Sequence, residues 1–169
     1  MALDPAAITT ERLSLEPLRP EDADEMAVLL DDERLHEFIG GRPLTLIEVR
    51  ERYAALAAGP AGTNNRWLNW IVRRRDDSQP LGSVQATLTN GEGGLTAHVA
   101  WVIGTEWQNQ GFASEAAGAL VEWLRKGGAD TILANIHPDH RASAGVARRA
   151  GLEPTDERRD GEQVWRAPA

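Results

Sequence analysis

The stretch from Ala97 to Ile136 constrains the fold more than any other part of the chain. It opens with the apolar run Ala97–Ile103 and passes through a polar turn holding Gly111. Ala113, Ala117, Leu120, Val121 and Leu124 then recur at helical spacing until Gly127-Gly128, and the chain resumes as the apolar run Thr131–Ile136. This order predicts a strand, a tight turn, a helix and a second, buried strand. The first amides of such a helix lack intrahelical partners and carry the positive end of its dipole, so the turn suits a phosphate. Gly111 and Ala113 keep side chains away from that backbone. No Lys follows the glycine as in a Walker loop, and the G-x-G-x-x-G dinucleotide pattern is absent. Two readings stand on these residues alone: a diphosphate-binding turn, or an ordinary strand–loop–helix connection with one glycine.

The rest of the chain supplies a sheet for this unit. Arg12–Leu18 alternates as a strand, and a helix follows from Pro20 to Leu30. Thr45 with Glu48 has the capping-box pattern and opens a second helix with the stripe Leu46, Val49, Tyr53 and Leu56, stopped at Gly59-Pro60. Trp67–Arg74, Leu81–Thr89 and Ala97–Ile103 read as strands separated by turns. After Thr131–Ile136, Pro138 and Asp139 start a helix bearing Ala142, Val146 and Ala150, and Leu152–Trp165 reads as a hairpin around Asp160-Gly161. The expected architecture is α+β, as a three-layer α/β arrangement. A mixed, mostly antiparallel sheet of about 6–7 strands is flanked by about four helices. Residues 1–8 are expected as a loose arm and 9–169 as one domain.

Composition excludes several functions. With 169 residues a single hydrophobic core suffices. The chain has no Cys, which removes a thiol nucleophile, a Cys-based zinc site and disulfides. The opening residues lack a basic segment followed by an apolar one, and no apolar run nears the roughly 20 residues of a membrane helix, so a cytoplasmic protein without membrane association is expected. A formal net charge of −8 argues against nucleic-acid partners and suits a cationic acceptor, although solubility alone accounts for it.

Three motifs in order carry a resemblance. WQNQGFASEAA, Trp107–Ala117, is similar to the Q/R-x-x-G-x-G/A segment that holds the CoA diphosphate in GNAT acetyltransferases, with Gln108, Gly111 and Ala113 at its defining positions. ANIHPDHRASAGVARRAGL, Ala134–Leu152, resembles the second CoA segment of that superfamily, and TTERLSLEPLRPEDADEM resembles the opening of its Rim-type branch, which acts on ribosomal-protein N-termini. His140 stands where the family usually has Asn, Leu152 where an aromatic follows the glycine, and Ala147 where many members carry a Tyr general acid.

The resemblance implies a GNAT-like sheet with two splayed central strands, here Ala97–Ile103 and Thr131–Ile136. It also implies acetyl-CoA as cosubstrate and an amine acceptor: a peptide or protein N-terminal α-amine, or a small amine such as a polyamine, aminoglycoside or amino-acid derivative. A binding module without turnover is the alternative of another class. No metal is required, and the protein would be a monomer or homodimer. Gln108, Asn109, Gln110, Gly111, Phe112, Ala113 and Ser114 would meet the diphosphate, amides of Val102 and Ile103 the pantetheine and thioester, and His140 and Ser143 the far side of the arm. Ser143 would protonate the leaving thiolate in place of the missing Tyr, or else serve only its own helix turn. His98 would accept the amine proton, directly or through water, with His137 and Asp139 as rivals, or else be only a partly exposed strand histidine. Trp67 or Trp70 would line the acceptor pocket, and Arg73-Arg74-Arg75 would either meet a CoA phosphate or form a solvated strand end.

Overall fold

The computed structural model describes residues 3–168 as an eight-stranded sheet between two pairs of helices. The strands are β1 (Ile8–Thr9), β2 (Leu13–Pro17), β3 (Asn65–Arg74), β4 (Pro80–Gly91), β5 (Gly94–Ile103), β6 (Thr131–Ile136), β7 (Glu153–Arg159) and β8 (Glu162–Arg166). The helices are α1 (Ala23–Leu29), α2 (Leu46–Ala58), α3 (Phe112–Lys126) and α4 (Arg141–Arg149). The sheet order is β1-β2-β3-β4-β5-β6-β8-β7, antiparallel throughout except for the parallel pair β5 and β6.

Strand alternation sorts the side chains to the two faces. Ile71 points to the layer of α1 and α2, where it packs with Ala23, Met26, Val49 and Tyr53. Its neighbours Trp70 and Val72 point the other way, into the larger core with Leu120, Val121 and Leu124 of α3 and Ala147 of α4. α2 begins as the sequence predicts. The Thr45 hydroxyl accepts the Glu48 amide at 3.2 Å, and the Thr45 amide donates to the Glu48 carboxylate at 3.0 Å.

Two expectations change. The sheet has an additional strand, β1, too short to show a period in sequence. The segment from Leu3 is also tied down. Trp70 Nε1 donates to Ala6 O at 2.9 Å, Asp4 pairs with Arg66 at 2.8 Å, and Leu3 packs against Gly127. The loose-arm expectation fails here because a fully buried indole needs an acceptor and the arm supplies it. Met1 and Ala2 lie outside the described residues.

Candidate functional site

β5 and β6 pair only at Thr96↔Thr131, Ala97↔Ile132 and His98↔Leu133. Beyond that point β5 continues to Ile103 and β6 to Ile136 without pairing, so a gap opens between them. The register decides which backbone groups face it. Gly104 N–H donates to Leu81 O at 2.8 Å, and the β4–β5 ladder runs unshifted from there. Alternation then gives the amides of Val102 and Ala100 to β4, the parallel pair His98↔Leu133 uses that of Val99 on Leu133 O, and those of Trp101 and Ile103 are directed at the gap. Val102, expected to offer its amide, uses it within the sheet, and Trp101 takes that place. On the opposite edge Ala167 N–H donates to Ile132 O at 2.9 Å, so by the same alternation the backbone of Asn135 faces the gap.

The gap ends at the entry of α3. Asn109 (φ 63°) and Gly111 (φ 81°) both adopt left-handed backbone, and α3 opens on Gly111 with no side chain capping its first amides. The Gln108 side chain turns inward and donates to Ile103 O at 3.0 Å, pinning the loop to the end of β5. Arg12 fixes the loop from outside. It donates to Gln110 O at 3.0 Å and to Glu115 at 2.8 Å, and stacks 4.4 Å from the centre of the Phe112 ring. Phe112 is buried, whereas Ala113 and Ser114 are half-buried at the helix entry. Arg12 belongs to the opening motif, but nothing in the sequence ties it to this loop. The three consecutive arginines are engaged. Arg73 pairs with Glu16, Asp22 and Glu25, Arg74 pairs with Asp77 and covers the Trp107 ring, and Arg75 donates to Thr10 O.

A second group lies past the end of β6. His140 precedes α4, and its Nε2 stands 3.4 Å from Ser143 Oγ. Phe38, from the connection between α1 and α2, stacks on the His140 ring at 4.3 Å and tilts against His137 at 5.3 Å. Burial holds His140 below the usual imidazole range, partly offset by Glu37. The Asp139 amide donates to His137 Nδ1 at 3.1 Å, which keeps the proton of the neutral ring on Nε2. The expected residues His140 and Ser143 thus come together. Phe38 was invisible as a partner because its neighbours are distant in sequence.

His98 is elsewhere. It sits where β5 and β6 are still paired, about 13 Å before His137 along the strand direction. It faces the α2 side of the sheet, where Trp67, Thr87 and His98 form one cross-strand row and Asn69, Gln85 and Ala100 the next. A pocket of about 280 Å³ opens over the first two strands of these rows. Trp67 is its wall at 38% exposure, while Trp70 is buried in the core on the other face. Arg159 Nη1 lies 3.3 Å from His98 Nε2. A guanidinium only donates, so neutral His98 carries its proton on Nδ1. Burial, then Arg159, lowers the His98 pKa below the ordinary value. Among the described residues no group of three or more His, Asp or Glu side chains converges as a metal site, and no helix is long and apolar enough to cross a membrane.

The sequence profile of the acetyltransferase (GNAT) domain matches residues 12–153. No curated protein matches the chain by sequence. Among solved structures, an acetyltransferase of the GNAT family from Bacillus anthracis superposes with a TM-score of 0.75 at 19% identity, covering 95% of this chain and 96% of that one. RimL, a ribosomal L7/L12 alpha-N-protein acetyltransferase in complex with coenzyme A, gives 0.75 at 15% identity over 95% and 97% of the two chains. AAC(6')-Ib, in complex with paromomycin and acetyl-CoA, gives 0.73 at 19% identity over 92% of each.

Proposed function

The chain belongs to the GNAT acetyltransferase family, and on that premise we propose that it transfers an acetyl group from acetyl-CoA to an amine, the N-terminal α-amine of a peptide or protein. The observation that carries the donor half is the unpaired length of β5 beside an uncapped helix entry. An extended arm of amides needs a strand edge with free donors and acceptors. A diphosphate needs open backbone N–H groups. The gap offers both, in sequence along one path, so the residues present fit acetyl-CoA.

Each step asks little of the chain. Acetyl-CoA supplies a thioester carbon open to attack. The amides of Trp101 and Ile103 are aimed to hold the arm and to donate to an oxygen that gains charge. Residues 108–114 carry the diphosphate, with Gln108 and Arg12 shaping the loop and the helix entry making the contact. The Ser143 hydroxyl, in reach of His140 Nε2, returns a proton to the leaving sulfur. His98 accepts the amine proton on Nε2 once Arg159 turns aside toward Glu157, whose carboxylate it already meets at 3.1 Å. An α-amine, with a pKa near 7.7–8.0, asks far less of such a base than a lysine near 10.4.

The test is a matched pair of peptides, one with a free N-terminus and blocked lysine, the other reversed, assayed with acetyl-CoA and a thiol reagent from pH 6 to 9. Transfer favouring the free N-terminus is expected. Equal rates would remove the α-amine preference. No turnover with either peptide or with a panel of small amines, despite binding of acetyl-CoA, would leave only a binding module.

A further inference from the structure

The acceptor pocket has a charge opposite to that of the chain. Its lining includes Trp67, Asn69, Gln85 and Thr87 from the sheet and Arg52 from α2, and it contains no carboxylate. Arg52 is exposed and makes no ion pair or hydrogen bond among the described residues, while the neighbouring Arg50 is held by Asp24 at 2.8 Å. On the β5 side Arg159, paired with Glu157 at 3.1 Å, lies beside His98. A polyamine or aminoglycoside would bring several ammonium groups into a pocket whose one charged lining residue is Arg52 and which has no lining carboxylate to pair them, which costs affinity. The net charge of −8 therefore misleads at this site.

Resting on the reading of the acceptor as a peptide N-terminus, we propose that this enzyme selects acidic N-termini, with an Asp or Glu at the second or third residue seated on Arg52. The distances agree. Trp67 lies two strands from His98, about 10 Å across the sheet. Two to three extended residues span about 7–10 Å. A peptide with its amine at His98 thus runs over Thr87 and Gln85, where uncharged side chains can meet its backbone. Its carboxylate then arrives under α2, where Arg52 presents the planar fork that carboxylates pair with.

The experiment uses three C-terminally amidated tetrapeptides with the same first residue and with Glu, Gln or Lys at positions two and three. The full chain is assayed with saturating acetyl-CoA. The expected order of kcat/KM is Glu, then Gln, then Lys, with roughly tenfold between the first two. Arg52→Glu should invert the order, while stabilisation by acetyl-CoA persists and shows the variant folded with its donor site intact. Transfer to all three peptides at similar rates, a preference for the Lys peptide, or an order unchanged in Arg52→Glu would overturn the acidic selection alone. Absence of transfer to every peptide, alongside transfer to spermidine, would overturn the N-terminal reading together with it.

Discussion

The two sides of the sheet offer different kinds of surface. The α3 side offers backbone: unpaired amides of β5 and a helix entry set by Gly111. The α2 side offers side chains, gathered from β3, β4, β5 and α2 into one pocket. Backbone recognition needs only that the chain turn correctly, so it tolerates wide sequence change. Side-chain recognition changes with each substitution. The three structural neighbours are only 15–19% identical yet keep the fold, and RimL is a ribosomal L7/L12 alpha-N-protein acetyltransferase whereas AAC(6')-Ib is seen with paromomycin.

The comparison breaks first, and most heavily, at Ser143. If it protonates the thiolate, Ser143→Ala lowers kcat by about 10²–10⁴-fold with little change in the KM for acetyl-CoA. Steady-state kinetics on an N-terminal peptide checks this, and a variant within twofold of the parent would reduce Ser143 to a structural hydroxyl. Next comes Gly111→Val. Acetyl-CoA at about 100 times its Kd should stabilise the parent by roughly 2.7 kcal/mol, or about 5–11 °C in Tm for a chain this long. The substitution should abolish that shift, because a branched side chain at φ 81° strains the turn and crowds the Arg12 guanidinium that fixes the loop. An intact shift would take the loop out of the donor site.

On the α2 side the effects are smaller and should leave acetyl-CoA binding alone. His98 must be neutral to accept a proton, and its pKa is lowered. The His98-dependent loss of kcat/KM therefore falls on the acid side, below about pH 6.5. The rise above neutrality belongs to the acceptor amine. Arg159→Gln removes one cause of the lowering and should move the acid limb to higher pH. A limb that stays in place in that variant, or survives in His98→Ala, would exclude His98 as the base. The smallest effect is expected for Thr45→Ala. Loss of the α2 cap should cost about 1 kcal/mol, or about 2–4 °C in Tm, with the acetyl-CoA shift unchanged. Differential scanning fluorimetry reads both, and a diminished acetyl-CoA shift would show that the two sides are coupled.

The same contrast explains what was legible in the sequence. The α3 unit is a local feature with strand, turn and helix contiguous, and its bounds follow from apolar period and glycine stops. Thr131–Ile136 is found as read, and α2 opens on the capping box that Thr45 and Glu48 spell out. The pocket was not legible. Phe38 meets His140, Arg159 meets His98 and Arg52 shares a pocket with Thr87 only because elements distant in sequence are adjacent in space. The error at Val102 is of another kind. Period identifies a strand, but which amides face outward depends on register, fixed here by Gly104 bonding to Leu81.

The short pairing of β5 and β6 has a consequence beyond catalysis. Only residues 96–98 and 131–133 stitch the half-sheet β1–β5 to the half-sheet β6–β8–β7. Mechanically this is a zipper left mostly undone, with the helices α3 and α4 holding the flaps. A ligand lying in the opening contributes hydrogen bonds that a continuous sheet would have made for itself. Amide exchange at Trp101, Ile103 and Asn135 should then slow together when acetyl-CoA is added, with the two flaps reporting as one cooperative unit.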